Sequence, residues 1–379
     1  MARILVLSAR APQRGGRGDQ NRLALLLPYL AERHDVTLVT GQPVAESETP
    51  AGIDAMAVFT APASRIPGVL QTATTLPVQT SWFTPPALWR KAVGIAQRCD
   101  VALVVTSRSL RGPLPVPTVV DHMDAFSYNM RERARGPENA ARRAAARWEA
   151  TRSVRWEQDI ARFSAARIAS SEGVKRLLPE GSPISVVPAA WEGDIADDPP
   201  GHVRDLDVVL SGNMRYPPNR EAALRLVNEI LPRVRELRPG VRAAIVGRNA
   251  ADYAAELGAG DVELHADVPD LHAFLRRAKI AVAPIRGAGS PFKVLEAAAC
   301  GAALVGSGWG LRAYGIREVI AEGSDEFADA IVRLLSDDAA RGRAAAAGRD
   351  AARAHRAEGI AARFEEILVA AAAQRQALH

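Results

Sequence analysis

Residues 3–8 (RILVLS) are a continuous apolar run rich in branched side chains, the pattern of a strand buried on both faces. A polar, Gly-rich stretch follows at Arg14–Asp19. Over 20–33, Leu23, Leu26, Leu27 and Leu30 recur on one face of a helix. Residues 35–40 (DVTLVT) read as the next strand, which completes one βαβ unit. Strand-like runs continue at 101–106, 117–121, 166–170 and 184–187, and a long Arg/Ala-rich helix is predicted over about 137–165. This alternation predicts an α/β domain on a parallel sheet.

The segment from Trp191 to Gly201 has no periodicity, is acidic, and contains Pro and Gly, so it reads as a linker. A second cycle starts after it. Strand 206–211 leads into Gly212-Asn213-Met214, a helix over about 219–237 follows, and strand 242–247 ends at Gly247. Further strands are predicted at 262–264, 279–283 and 302–305, with a helix at 292–300 between the last two. The Ala-rich tail is helical, with Ile360, Phe364, Ile367 and Leu368 on one stripe, and should pack rather than hang free. The pattern gives four segments: a Rossmann-like domain (1–190), a linker (191–204), a second Rossmann-like domain (205–355), and a helix (356–379) returning to the first. Two such α/β domains are expected to face each other across a cleft, with ligands beyond the carboxyl ends of the strands.

The 379 residues suit two domains, and the 48% hydrophobic content supports two cores. A net charge of +5, with Arg scattered and no pure basic block, favours phosphorylated ligands first and an anionic membrane surface second; nucleic acid is not expected. Cys99 and Cys300 form no CxxC or zinc spacing and read as buried thiols of a reducing compartment. The first apolar run is too short for a signal peptide, and none approaches the roughly 20 residues a membrane span needs. The expected location is cytoplasmic, with peripheral contact at the inner membrane face left open. The arginines Arg131, Arg133, Arg135, Arg142, Arg143 and Arg147 fit either a solvated face or a lipid contact. Trp148, Trp156 and Phe163 lie on roughly one side of the long helix, and packing against the domain is the expected role.

The most informative stretch runs from Pro284 to Val305: a strand end, a Gly-rich loop, a Ser-Pro helix start, one short helix and another strand. Ser290 is predicted as N-cap with Pro291 at the first helical position. The free amides of such a helix end suit a diphosphate. Lys293 in the first turn opposes the helix dipole, which makes sense if it faces an anion, and Glu296 lies one turn on along the same face. The competing reading of that pair is a surface Lys–Glu contact.

These residues carry a resemblance. Leu295 to Val305 (LEAAACGAALV) resembles the donor-site signature "LEAMA-x-G-x-PVV" of family 4 retaining glycosyltransferases. Ser211–Asn219 resembles the "GxMxYxPN" of a subgroup associated with exopolysaccharide clusters. Ile245-Val246-Gly247, the Val268–Leu271 loop, Asp121–Ser127 (D-x-x-D-x-x-S) and Gly16–Arg22 (KGDxxR) resemble further motifs of that group, in the same order. The resemblance extends over nearly the whole chain.

It implies a GT-B fold and transfer of a sugar from a nucleoside diphosphate to an acceptor hydroxyl with retention, in polysaccharide, glycoconjugate or natural-product biosynthesis. The donor would be a nucleotide sugar used as co-substrate, with no cofactor and no metal required. The acceptor class (glycan, lipid-linked or natural product) stays open. Glu296 would hold the ribose, Lys293 and Arg286 would neutralise the diphosphate, and Gly289, Ser290, Pro291 and Phe292 would contact phosphate or sugar. Gly16 and Gly18 would let the first loop approach the phosphates, Val268 would touch the base, and Gly212, Asn213, Arg215 and Gly247 would line the donor site. Asp121, His122 and Asp124 would face the reacting sugar or acceptor. The chain departs from the family at Ala288, where many members carry a Glu, at Ala189-Ala190 in place of Asn-Gly, and around Arg215 and Arg220, where the usual Arg and Lys pair is only partly present. These gaps leave two other readings open: a non-catalytic glycosyltransferase-like partner protein, and a sugar-nucleotide 2-epimerase.

Overall fold

The computed structural model describes residues 1–43, 52–57, 76–136, 139–196, 203–258, 262–285 and 289–376. The chain divides into two compact units, one of Met1–Ala189 with Ala357–His379, the other of Ala190–Arg356.

Unit 1 holds a seven-stranded sheet: β1 (Arg3–Ser8), β2 (Asp35–Thr40), β3 (Ile53–Ala57), β4 (Val101–Val105), β5 (Thr118–His122), β6 (Ala166–Ala169) and β7 (Ile184–Val186). The order is β3-β2-β1-β4-β5-β6-β7 and every pairing is parallel. β1 and β4 sit at the centre, and their Leu5, Leu7, Ala102 and Val104 join Trp156 and Ile160 of helix Ala140–Phe163 in one apolar cluster. That burial on both faces is why these strands read as unbroken hydrophobic runs. β3 is an edge strand with a half-exposed pattern, and the hydrophobic periodicity did not predict it.

The last helix, Ala357–Gln376, completes unit 1. Ile360, Phe364 and Leu368 are buried. Phe364 lies beneath the Arg22 guanidinium at 4.6 Å, and Glu365 accepts from His34 Nε2 at 2.9 Å. Arg363 donates to the Val186 carbonyl and Arg375 to that of Cys99. The predicted apolar stripe is therefore the docking face, tied at its rim by polar contacts.

Unit 2 has a five-stranded parallel sheet of β8 (Leu206–Ser211), β9 (Ala243–Gly247), β10 (Glu263–Ala266), β11 (Ala278–Ala283) and β12 (Ala303–Gly306), in the order β10-β9-β8-β11-β12. The strand order reverses between β8 and β11, the place where open α/β sheets hold ligands at their carboxyl edge. Helices Ser324–Ser336 and Asp338–Ala354 cover the sheet; Phe327, Ile331 and Leu334 of the first are fully buried.

The start of the expected linker is packed, not free. Trp191 is buried, its amide donates to the His355 carbonyl at 2.8 Å, and its ring packs at a tilt against Phe292 and edge-on to His272. Ala196 N–H donates to the Ala299 carbonyl at 2.7 Å. An acidic, aperiodic composition reads as solvent-facing, but one buried indole fixes 191–196 onto unit 2. Of the three aromatics on the long helix, Trp156 and Phe163 pack as expected, whereas Trp148 is 50% exposed with Arg152 4.1 Å over its ring.

Candidate functional site

In unit 2 the site is built at the reversal between β8 and β11. β8 ends at Ser211, and the chain turns at Gly212 with φ 153°. Beside it β9 ends at Gly247, φ 154°, conformations open to glycine. A β-carbon on Gly212 would sit 2.6 Å from Lys293 Nζ and 2.7 Å from Asn219 Nδ2. The bare backbone is what lets the lysine reach this edge.

Lys293 Nζ donates to the Ser211 carbonyl at 2.6 Å and to Asn219 Oδ1 at 2.7 Å. Asn219 is itself fixed, its Nδ2 donating to the Asn213 carbonyl at 3.0 Å. An ammonium has three protons, so one remains for a ligand. Neither protein partner of Lys293 carries a charge. Burial pushes the Lys293 pKa down to about 8, with Glu296 pulling the other way. A lysine in that state gains from an anion beside it.

The helix bearing Lys293 spans Phe292–Ala299. Pro291, not Ser290, occupies the N-cap position, and no side chain caps the helix. Proline's fixed φ suits the extended cap residue as well as the first helical one, which shifts the start by one position. Gly289 has φ 129° ahead of it. Val294 N–H already donates to the Pro291 carbonyl at 3.0 Å, so the donors this end offers an anion are the Phe292 and Lys293 amides. Phe292 packs its ring against Trp191 at 5.8 Å. Arg286, like Gly287 and Ala288, lies outside the described residues.

Glu296, one turn beyond Lys293, accepts from His272 Nε2 at 3.1 Å. That hydrogen bond raises the His272 pKa. Among the described residues its second carboxylate oxygen has no hydrogen-bond partner. Val268 is half-buried just past β10, in a turn where Asp267 takes φ 49° and Asp270 caps helix Leu271–Arg277 by accepting from Ala273 N–H at 3.1 Å. Arg215 is exposed and paired with Asp252 at 2.9 Å, while Asn213 Oδ1 accepts from its backbone N–H at 3.0 Å. Thus Gly212, Asn213, Lys293 and Glu296 gather at one edge, and Arg215 points its charge to a surface partner.

In unit 1 the Gly-rich loop and the end of β5 meet at the carboxyl edge: a β-carbon on Gly18 would stand 3.4 Å from Met123 Cε. On Gly16 it would meet the Gln13 carbonyl oxygen at 2.9 Å. Asp121 is fully buried in an ion pair with Arg22, Nε to Oδ2 at 2.8 Å, and Arg22 also donates to the carbonyls of Val187 and Pro188, both at 2.6 Å. That is the geometry of a brace joining β5 to the chain after β7. His122 is 1% exposed with neither ring nitrogen hydrogen-bonded, and burial lowers its pKa to about 3, so the imidazole is neutral. Asp124 has its pKa raised by burial, with Arg108 opposing.

Sequence reasoning missed several residues. Asn219 lies in a motif with no role attached to it, and His272 stands in no motif. Arg10 and Arg108 carried no signal at all. Arg10 follows β1 and pairs with Asp19 at 2.7 Å; Arg108 follows β4 and lies over the rings of Phe83 and Phe126. Both flank the reversal point of the unit 1 sheet, between β1 and β4. A motif covers adjacent positions, whereas these contacts join residues that only the fold brings together.

Residues 205–337 match the protein family described as "Glycosyl transferases group 1". No curated protein matches the sequence. Among solved structures, a sucrose-phosphate synthase from Thermosynechococcus elongatus aligns with TM-score 0.69 at 17% identity, over 97% of this chain and 98% of that one. Anabaena HepE in complex with UDP aligns with TM-score 0.65 at 14% identity, over 97% and 100%. WaaG, a glycosyltransferase involved in lipopolysaccharide biosynthesis, aligns with TM-score 0.67 at 12% identity, over 97% and 99%. The chain has the GT-B fold. The strand alternation and the resemblance both led to that architecture. The matched family segment spans β8 to β12 and contains the whole unit 2 site. No described helix is long and apolar enough to cross a membrane.

Proposed function

We propose that this protein is a retaining glycosyltransferase of family 4 that moves a sugar from a nucleoside diphosphate to an acceptor hydroxyl in glycan, glycoconjugate or natural-product assembly. The observation that carries the reading is Lys293, held at the end of β8 by two uncharged acceptors and standing at the uncapped start of helix Phe292–Ala299. A cation and helix amides at one point form a pyrophosphate site. The group 1 match over 205–337 and a GT-B neighbour solved with UDP support the same donor class.

The leaving diphosphate gains charge as the glycosidic bond breaks. Lys293 and the first-turn amides stabilise that charge in place, and Arg286 adds a second cation. Glu296, steadied by His272, accepts from the ribose hydroxyls. Val268 borders the base. The departing phosphate oxygen takes the acceptor proton, so no side-chain base and no metal is required. Asp124, with its raised pKa, and the carboxyl edge of the unit 1 sheet serve the acceptor. Asp121 and His122 support that edge from within.

Titration calorimetry with UDP, GDP and dTDP, and with their sugars, tests the reading. One nucleotide should bind, and Lys293→Ala should weaken binding while leaving the fold intact. No binding by any of them, with the protein folded, overturns it.

A further inference from the structure

Helices Phe126–Arg135 and Ala140–Phe163 form a hairpin in unit 1, joined where Met130 and Ala150 pack together. Between them runs an open groove of about 620 Å³. Its floor includes the buried Ala134 and Ala150, and its walls carry Arg131 and Arg135 from one helix and Arg147 and Arg155 from the other. The lining includes no carboxylate.

Four guanidinium groups around one groove repel each other. Arg135 is offset by Glu132 at 2.8 Å. Among the described residues, the side chains of Arg131, Arg147 and Arg155 make no ion pair. The nearby acids hold other hydrogen-bond partners: Glu157, which feels the Arg131 charge without pairing to it, accepts from Ser127 Oγ at 2.6 Å and from its N–H at 3.1 Å, and Asp159 pairs with Arg162 at 3.0 Å. The positions 147, 150, 151, 154, 155 and 158 follow helical spacing, so the arginines share one face by construction. Arg142, on the same helix, does not line the groove. The structure thus divides the arginine-rich stretch into a concave set and a solvated set.

We propose that this groove is a second anion site, which takes a ligand bearing a phosphate ester or pyrophosphate. Guanidinium forks match phosphate oxygens in pairs, and Arg131, Arg147 and Arg155 together offer more donors than one carboxylate can accept. The alanine floor accommodates the carbon skeleton that carries the ester. The groove lies wholly in unit 1, so the proposal stands apart from the donor site.

The test uses the full chain carrying Lys293→Ala, which silences the other phosphate site without adding a second pyrophosphate, in two arms. In the first, inorganic pyrophosphate is titrated in. In the second, the protein is floated with phosphatidylcholine vesicles, with or without phosphatidylglycerol. Arg147→Ala with Arg155→Ala should weaken the response at least tenfold, Arg142→Ala should leave it unchanged, and added salt should suppress it. A pyrophosphate response alone identifies a free phosphate ligand; a phosphatidylglycerol-dependent response alone identifies a lipid headgroup. Silence in both arms, or a response that survives the double substitution with circular dichroism unchanged, overturns the proposal.

Discussion

Gly247 lies so close to Gly212 that a β-carbon on the first would fall inside the van der Waals shell of the second's carbonyl oxygen. Gly247 ends β9 and Gly212 follows the end of the adjacent β8, where Lys293 reaches the Ser211 carbonyl. Gly247→Ala combines a backbone clash with a φ of 154° that alanine rarely adopts. The expected cost is about 1–3 kcal/mol. At the scale for a unit of this size, thermal unfolding should begin several degrees lower. An unchanged melting temperature would show that the strand ends relax freely.

Lys293 should make nucleotide binding proton-linked. Its pKa of about 8 lies below the ordinary lysine value, so the folded protein releases this proton before the unfolded chain does. Stability of the ligand-free protein should therefore rise with pH between about 8 and 10.5, over and above other groups. A bound diphosphate favours the charged amine, so binding of the donor's nucleoside diphosphate near pH 8 should take up a fraction of a proton. Calorimetry in buffers of different ionisation enthalpy reads that uptake directly. Lys293→Met should remove it.

The same lysine should dominate turnover. Lys293→Ala is expected to lower kcat by about 10²–10³, the scale for losing one preorganised charge donor. Chelation with EDTA should leave the wild-type rate unaltered. Near-normal turnover in the alanine variant would place charge stabilisation elsewhere.

His272 gains its partner from Glu296, and its pKa rises as a result. The contribution of this contact should be complete below the ordinary histidine pKa near 6.5. It should fade as pH climbs through the higher folded value. The ring is 39% exposed, so screening keeps the effect small. Comparing His272→Ala with wild type across pH 5.5–8.5, the gap in melting temperature should be widest at the acid end.

Arg22 and Asp121 form a buried pair whose remaining donors reach the Val187 and Pro188 carbonyls. Removing one charge strands the other. Arg22→Met should cost about 3–5 kcal/mol by the scale for breaking such pairs. Denaturant titration checks it, and a loss under 1 kcal/mol would mean water replaces the guanidinium.

The central strands were legible because burial on both faces leaves an uninterrupted apolar signature, as in Ile4–Leu7 and Val101–Val105. β3 was not, because an edge strand needs no such run. The unit 2 loop and helix stood out through glycine, proline and a cation in the first turn, a combination with few structural uses. The helix start was misplaced by one residue because Ser-Pro fits two cap registers. Asn219 and Lys293 are 74 positions apart, so no local spacing links them. His272 reads as an ordinary helical residue until the fold sets it against Glu296. Trp148 and Trp156 share a helix side in outline, and only the packing distinguishes a buried indole from an exposed one.

The return of residues 357–376 to unit 1 has a consequence for biosynthesis. Phe364 and Leu368 leave the ribosome only after all of unit 2 has been made. At ordinary elongation rates the first sheet waits on the order of ten seconds with that flank bare. The later-made unit can finish folding first, which gives a chaperone that shields apolar surface a defined place and interval in which to act.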